Sequence, residues 1–200
     1  MTDAVTIPGL DVTLEGRFLP GAQGPGAVIT HPHPLFGGSM NNNVVWTAER
    51  AFASRGFATL CFNFRGVNRS TGTYGQGEAE VADVAAALNF LQERTPGPHY
   101  LVGYSFGAFV IAKAMVRGLP VLGAIMISPP IAFMDLSWLP WVPDLKLVVV
   151  GDRDDLCPLA DLQELLRGKA TSEINVIEGA DHFFGGREDK LFQVLREFAL

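Results

Sequence analysis

Residues 100–117 read Tyr-Leu-Val-Gly-Tyr-Ser-Phe-Gly-Ala-Phe-Val-Ile-Ala-Lys-Ala-Met-Val-Arg, and this stretch decides the fold. At its centre, Gly103-Tyr104-Ser105-Phe106-Gly107 is a GxSxG motif, with an apolar strand-like run before it and an Ala-rich helical pattern after it. That context suits a nucleophilic serine. The side chain must stand on a strained strand-to-helix turn with its hydroxyl presented, and a glycine two residues to either side lets the backbone pass close by. The helix that follows points its first N–H groups at any negative charge that develops beside Ser105.

Outward from this stretch, 200 residues with 48% hydrophobic composition fit one domain, residues 1–200, with a sizeable core. The net charge of −6 comes without a basic cluster, which argues against nucleic acid or an anionic membrane surface as a partner. Met1 to Leu14 lacks the cationic start and apolar core of a signal peptide, and no apolar run approaches the ~18 residues of a membrane span. A cytoplasmic protein is expected. Cys61 and Cys157 lie in different elements and are expected to be reduced. The sequence leaves the oligomeric state open.

Val5–Ile7 and Asp11–Leu19 flank Pro8-Gly9 and predict an antiparallel pair at a sheet edge. Further strands are expected at Ala27–Thr30, Phe57–Phe64, the run before Ser105, Val121–Ile127, Leu145–Val150 and Ile174–Ile177. Helices are expected at Asn43–Ser54, Glu78–Arg94, after Ser105, Leu159–Arg167 and Glu188–Ala199. Alternating strands and helices predict an α/β fold, doubly wound, with a mostly parallel sheet of about seven to eight strands. Sites in such sheets lie beyond the carboxyl ends of the strands. Ser105, the aspartates after Gly151, His182 and the loop His31–Gly38 all follow strand ends, so the topology brings them to one edge.

With these residues in place, the chain resembles an α/β-hydrolase over essentially its whole length. His31-Pro-His-Pro-Leu-Phe-Gly-Gly38, Phe62-Asn-Phe-Arg-Gly66, the GYSFG motif and Gly179-Ala-Asp-His-Phe-Phe184 resemble small lidless bacterial hydrolases related to dienelactone hydrolase. That enzyme carries a cysteine in the elbow where this chain has Ser105, so its substrate does not carry over. The resemblance implies acyl transfer without a cofactor: Ser105 attacks a carbonyl, His182 moves the proton, and a carboxylate orients the imidazole. Asp152, Asp154 and Asp155 compete for the acid. The family pattern puts it three residues after the strand-ending glycine, on Asp154, with Cys157-Pro158 in place of the usual Val-Pro-like pair.

An oxyanion hole needs two N–H donors. Phe106 supplies one, and since Pro32 and Pro34 have no N–H, the second comes from His33, Leu35 or Phe36. Aligning His33-Pro34 with the His-Gly of relatives selects Leu35. The His31-x-His33 pair also has the form of a zinc ligand pair, but no further His or Cys set with metal spacing accompanies it, so no metal is expected. His99 starts the central strand, ~20 Å from Ser105 at the wrong edge. Cys157 reads as a packing residue.

Lids in this superfamily usually enter after the strand that follows the elbow helix. Here only 17 residues, Ser128–Asp144, fill that place, with prolines at 129, 130, 140 and 143, so an open site without a lid domain is expected. Phe133, Met134, Trp138 and Trp141 are its candidate apolar walls. The expected activity is cleavage of short to medium acyl esters, thioesters included. Acyl transfer to another acceptor uses the same residues, and a non-catalytic binding protein on this fold would not need all three.

Overall fold

The computed structural model describes residues 2–22, 24–169 and 172–198. In chain order the elements are β1 (Asp3–Pro8), β2 (Thr13–Leu19), β3 (Gly26–Thr30), α1 (Asn43–Ala53), β4 (Ala58–Phe62), α2 (Glu80–Gln92) and β5 (His99–Tyr104). There follow α3 (Phe106–Val116), β6 (Gly123–Ile127), β7 (Leu145–Gly151), α4 (Leu159–Leu165), β8 (Glu173–Ile177) and α5 (Glu188–Glu197). The eight strands form one sheet in the order β1-β2-β4-β3-β5-β6-β7-β8. β1 and β2 are antiparallel to their neighbours, and β3 to β8 run parallel.

β3, β4, β5 and β6 are buried along their whole length, because helices cover both faces of the sheet. Successive strand residues alternate between two cores. Val28, Leu60, Leu101 and Met126 meet the α2–α3 side, whereas Ile29, Cys61, Val102 and Ile125 meet the α1–α5 side. α5 shows the expected one-sided burial, with Leu191 and Leu195 inward and acidic Glu188 and Asp189 in the first turn. Helix α3 is almost wholly buried, packed on β5, β6 and α2, with Lys113 turned out to Glu78.

Strand β4 ends before the expected Phe64 for a reason that matters to the site. The Phe64 N–H leaves the ladder and donates to Nε2 of His31 at 3.0 Å. The predicted last helix stops at Glu197, and Ala199 lies outside the described residues. Residues 128–144 contain one short 3₁₀ turn, Leu139–Trp141, and bury Leu136, Leu139 and Val142 against the core. Anchored on the body by these three residues and carrying no inserted helical domain, the segment leaves the fold lidless. None of the helices among the described residues is long and apolar enough to cross a membrane.

Candidate active site

Strand β5 runs into α3 through Ser105, whose backbone stands at φ 53°, ψ −119°. Positive φ costs a residue with a Cβ on the order of 1–3 kcal/mol, so the surroundings must hold it. They do so in two ways. The Ser105 N–H donates to the Ile127 carbonyl at 2.9 Å, and the turn is packed so tightly that a Cβ on Gly103 would lie 2.6 Å from Ala108 Cα, and one on Gly107 2.5 Å from Thr30 Oγ1. The flanking glycines are thus explained by close approach. The Ser105 hydroxyl is left 2.9 Å from Nε2 of His182.

His182 sits in the loop after β8, and its Nδ1 lies 2.9 and 3.0 Å from the two carboxylate oxygens of Asp154, at the end of β7. Facing a carboxylate, Nδ1 carries the proton, which leaves the lone pair of Nε2 for the serine hydroxyl. Asp154 Oδ1 also accepts from the N–H groups of Leu156 and Cys157, both at 2.9 Å. Burial pushes the Asp154 carboxyl up, but the His182 ring and the Cys157 N–H help to outweigh it, and its pKa falls below the ordinary value. Ser105, Asp154 and His182 are all buried, at 7%, 4% and 5% exposure, so their mutual electrostatics act with little screening by water.

The other two aspartates separate from Asp154 by where they point. Asp152 is exposed and accepts from the Gly179 N–H, and Asp155 is exposed. Cys157 is fully buried, with its thiol pushed up by burial and by the neighbouring Asp154 charge. His99 is bound to the Thr95 carbonyl at the far edge.

The loop after β3 departs from expectation. Pro34–Phe36 form a single 3₁₀ turn capped by the His33 side chain, which accepts the Leu35 N–H on Nδ1 at 3.2 Å. The Phe36 and Gly38 N–H groups both go to the His33 carbonyl, at 3.1 and 3.0 Å. Leu35 as the second oxyanion donor is therefore corrected: its N–H is occupied and its side chain is 67% exposed. Among the described residues the N–H groups of His33 and Phe106 have no hydrogen-bond partner. The two histidines diverge. His31 is fully buried, its Nδ1 donating to the Pro32 carbonyl at 2.6 Å and its Nε2 accepting from Phe64, while His33 Nε2 meets the Tyr74 hydroxyl at 3.0 Å.

Above Ser105 opens a cavity of about 370 Å³ whose walls include Phe36, Tyr104, Leu156 and Phe183. Among the described residues no Lys or Arg side chain lines it. The tryptophans proposed as walls lie elsewhere: Trp138 packs on Phe109 at 5.8 Å as part of the core, and Trp141 is 74% exposed, outside the lining. Phe133 stands behind Phe36, rings 6.2 Å apart, without lining the cavity. Phe183 and Phe36 were not among the expected walls, although Phe183 adjoins His182 and Phe36 lies in the His31–Gly38 loop. Tyr104 was not legible in its second role, donating its hydroxyl to the His182 carbonyl at 2.9 Å across 78 residues of sequence.

The model of the alpha/beta hydrolase fold family matches residues 33–153. An uncharacterized protein of Rickettsia prowazekii is 31% identical over 205 residues, which cover 96% of this chain and 86% of that one. Among solved structures, an alpha-beta serine hydrolase homologue from Coxiella burnetii superposes with a TM-score of 0.89 at 33% identity, covering 97% of this chain and 95% of that one. A serine hydrolase without lid from Xanthomonas campestris gives a TM-score of 0.84 at 29% identity, covering 98% and 92%.

Proposed function

Because this chain belongs to the α/β-hydrolase fold family, we propose that it is a serine hydrolase cleaving uncharged carboxylic esters or thioesters of short to medium acyl groups, with no cofactor. Ser105 Oγ adds to the carbonyl carbon as its proton passes to His182 Nε2. The carbonyl oxygen becomes negative and is received by the free N–H groups of His33 and Phe106. Collapse breaks the bond to the alcohol or thiol, which leaves with the proton from Nε2. Water then attacks the acyl-Ser105 ester, His182 takes its proton, and the carboxylic acid is released with Ser105 restored. Asp154 holds the imidazole with its proton on Nδ1 and stabilises the imidazolium formed in each half.

The observation that carries this reading is the unbroken line from Ser105 Oγ to His182 Nε2 at 2.9 Å and from His182 Nδ1 to Asp154 at 2.9 Å. A cavity without Lys or Arg argues for uncharged substrates, since an anionic group there would be desolvated without a partner. Labelling with a fluorophosphonate tests it. Wild-type protein is expected to label and to hydrolyse p-nitrophenyl acetate, and Ser105→Ala to do neither while keeping its circular dichroism. Undiminished labelling of Ser105→Ala would remove Ser105 from the role.

A further inference from the structure

Tyr74 lies in the connection between β4 and α2, away from the triad, and its ring touches both His33 and Phe106, the residues proposed above to receive the carbonyl oxygen. The His33 and Phe106 rings meet at a tilt of 59° with centroids 5.0 Å apart, and Tyr74 packs on His33 at 5.1 Å and on Phe106 at 5.8 Å. Its hydroxyl also meets His33 Nε2 at 3.0 Å. We propose that Tyr74 is a positioning residue for the oxyanion hole, holding His33 so that its N–H stays aimed into the site beside that of Phe106. This rests on the serine-hydrolase reading above.

The hydrogen bonds of the His33 ring fix its state. The Leu35 backbone N–H is a donor and nothing else, so Nδ1 must be the bare nitrogen, Nε2 carries the proton, and the bond runs from Nε2–H to the Tyr74 oxygen. Burial lowers the His33 pKa in spite of the nearby Glu80 charge, so the ring is neutral at neutral pH. Burial and the same charge raise the phenol of Tyr74. If the ring turned, the Leu35 N–H would lose its acceptor and the 3₁₀ turn its cap. The Leu35 N–H would then be released, and the His33 backbone would be free to rotate its own N–H away.

Tyr74 is itself fastened. The fully buried carboxylate of Glu80, in the first turn of α2, accepts from the Gly75 N–H at 2.7 Å and the Gly77 N–H at 2.8 Å. At the other end of the connection, Arg65 is locked to Asp83 of the same helix through a 2.7 Å contact and two longer ones. The fixed helix α2 therefore reaches the oxyanion loop through Tyr74. Such a brace fits a hole that must be set before the charge appears, since displacement by ~1 Å can cost about 10²-fold in rate.

The test compares wild type, Tyr74→Phe, His33→Asn, the double variant and Ser105→Ala on p-nitrophenyl acetate, with thermal midpoints measured alongside. Phe keeps the ring packing and removes only the hydroxyl; Asn keeps an acceptor for the Leu35 N–H, as in an Asx turn, and removes the partner of Tyr74. Tyr74→Phe is expected to lower kcat about tenfold with KM and melting midpoint nearly unchanged. In the His33→Asn background the same change is expected to do nothing further. A Tyr74→Phe enzyme with wild-type kcat, a loss confined to KM, or losses that multiply in the double variant would overturn the brace while leaving Ser105-dependent hydrolysis intact. Hydrolysis surviving in Ser105→Ala would overturn both readings.

Discussion

The hydroxyl of Tyr104 donates to the backbone carbonyl of His182 at 2.9 Å, so the residue before the nucleophile grips the residue that carries the base. β5 and the loop after β8 are separated by two intervening strands in the sheet, and this bond ties them directly. Burial and the charges of Asp154 and Asp181 push the phenol well up, so it remains a donor at neutral pH. Tyr104→Phe leaves the carbonyl without this partner, at a cost of about 1–3 kcal/mol. The expected outcome is a lower urea midpoint together with a kcat reduced about tenfold, because the imidazole loses its fixed reach to Ser105. Unchanged values for both would mean that the loop is held by other contacts.

Asp154→Asn is expected to lower kcat by about 10⁴-fold, the magnitude known for the same change in a serine protease triad, since an amide favours the wrong imidazole tautomer. Asp152→Asn and Asp155→Asn, both on exposed side chains, are expected to stay within severalfold of wild type. The acid also predicts a stability effect. Its folded pKa lies below the ordinary value, so its contribution is complete above that ordinary value and is lost as pH falls through the folded one. Asp154→Asn removes this share of the acid sensitivity, which pH-dependent urea titrations read directly.

His31 gives a second pH signature of different range. Burial lowers its pKa to about 4, from an ordinary 6.5, while the unfolded chain keeps the ordinary value. Between these values the unfolded state binds the extra proton, so stability is full above 6.5 and declines as pH falls toward about 4. The decline attributable to this ring is about 3 kcal/mol. Ring-proton NMR should show one histidine that stays neutral at pH 5.5, and its titration at an ordinary value would contradict the buried, doubly bonded position.

Substrate choice should follow the walls actually found. The rate constant kcat/KM is expected to rise from acetyl to short acyl esters, by up to about fourfold per methylene where Phe183, Phe36 or Leu156 can bury it, and to level off beyond medium chains. Phe183→Ala should flatten that rise, and Trp141→Ala should leave it unchanged. A steep increase toward long chains, or activation at a lipid interface, would reveal a cover over the cavity.

Where a signal was local, it was legible from residue order. Gly103 to Gly107 between an apolar run and a helical pattern placed Ser105 on an elbow, and strand ends placed His182 and the three aspartates at the same edge. The choice of Asp154 depended on a family pattern, because nothing in Asp-Arg-Asp-Asp states which carboxylate turns inward. That the Leu35 N–H is occupied was missed because it depends on which amides the loop uses internally, and His33-Pro34, a capping side chain followed by a proline at the first position of the turn, carried that signal unread. Trp138 and Trp141 were indistinguishable from Phe183 by hydrophobicity alone. Only packing separates a ring on Phe109 from one on the cavity.

The short segment 128–144, which contributes nothing to the cavity wall, bears on timing. In the reaction proposed above, an acyl group on Ser105 faces the cavity rather than a cover, and no element has to swing aside before the second attack begins. The lifetime of the intermediate is then a chemical one, set by how fast His182 deprotonates a water, and an added alcohol competes for the acyl group only through its concentration. Many enzymes wait on a closing or opening motion, which thickened solvent slows. This one should turn over at the same kcat in buffer and in viscous sucrose solution.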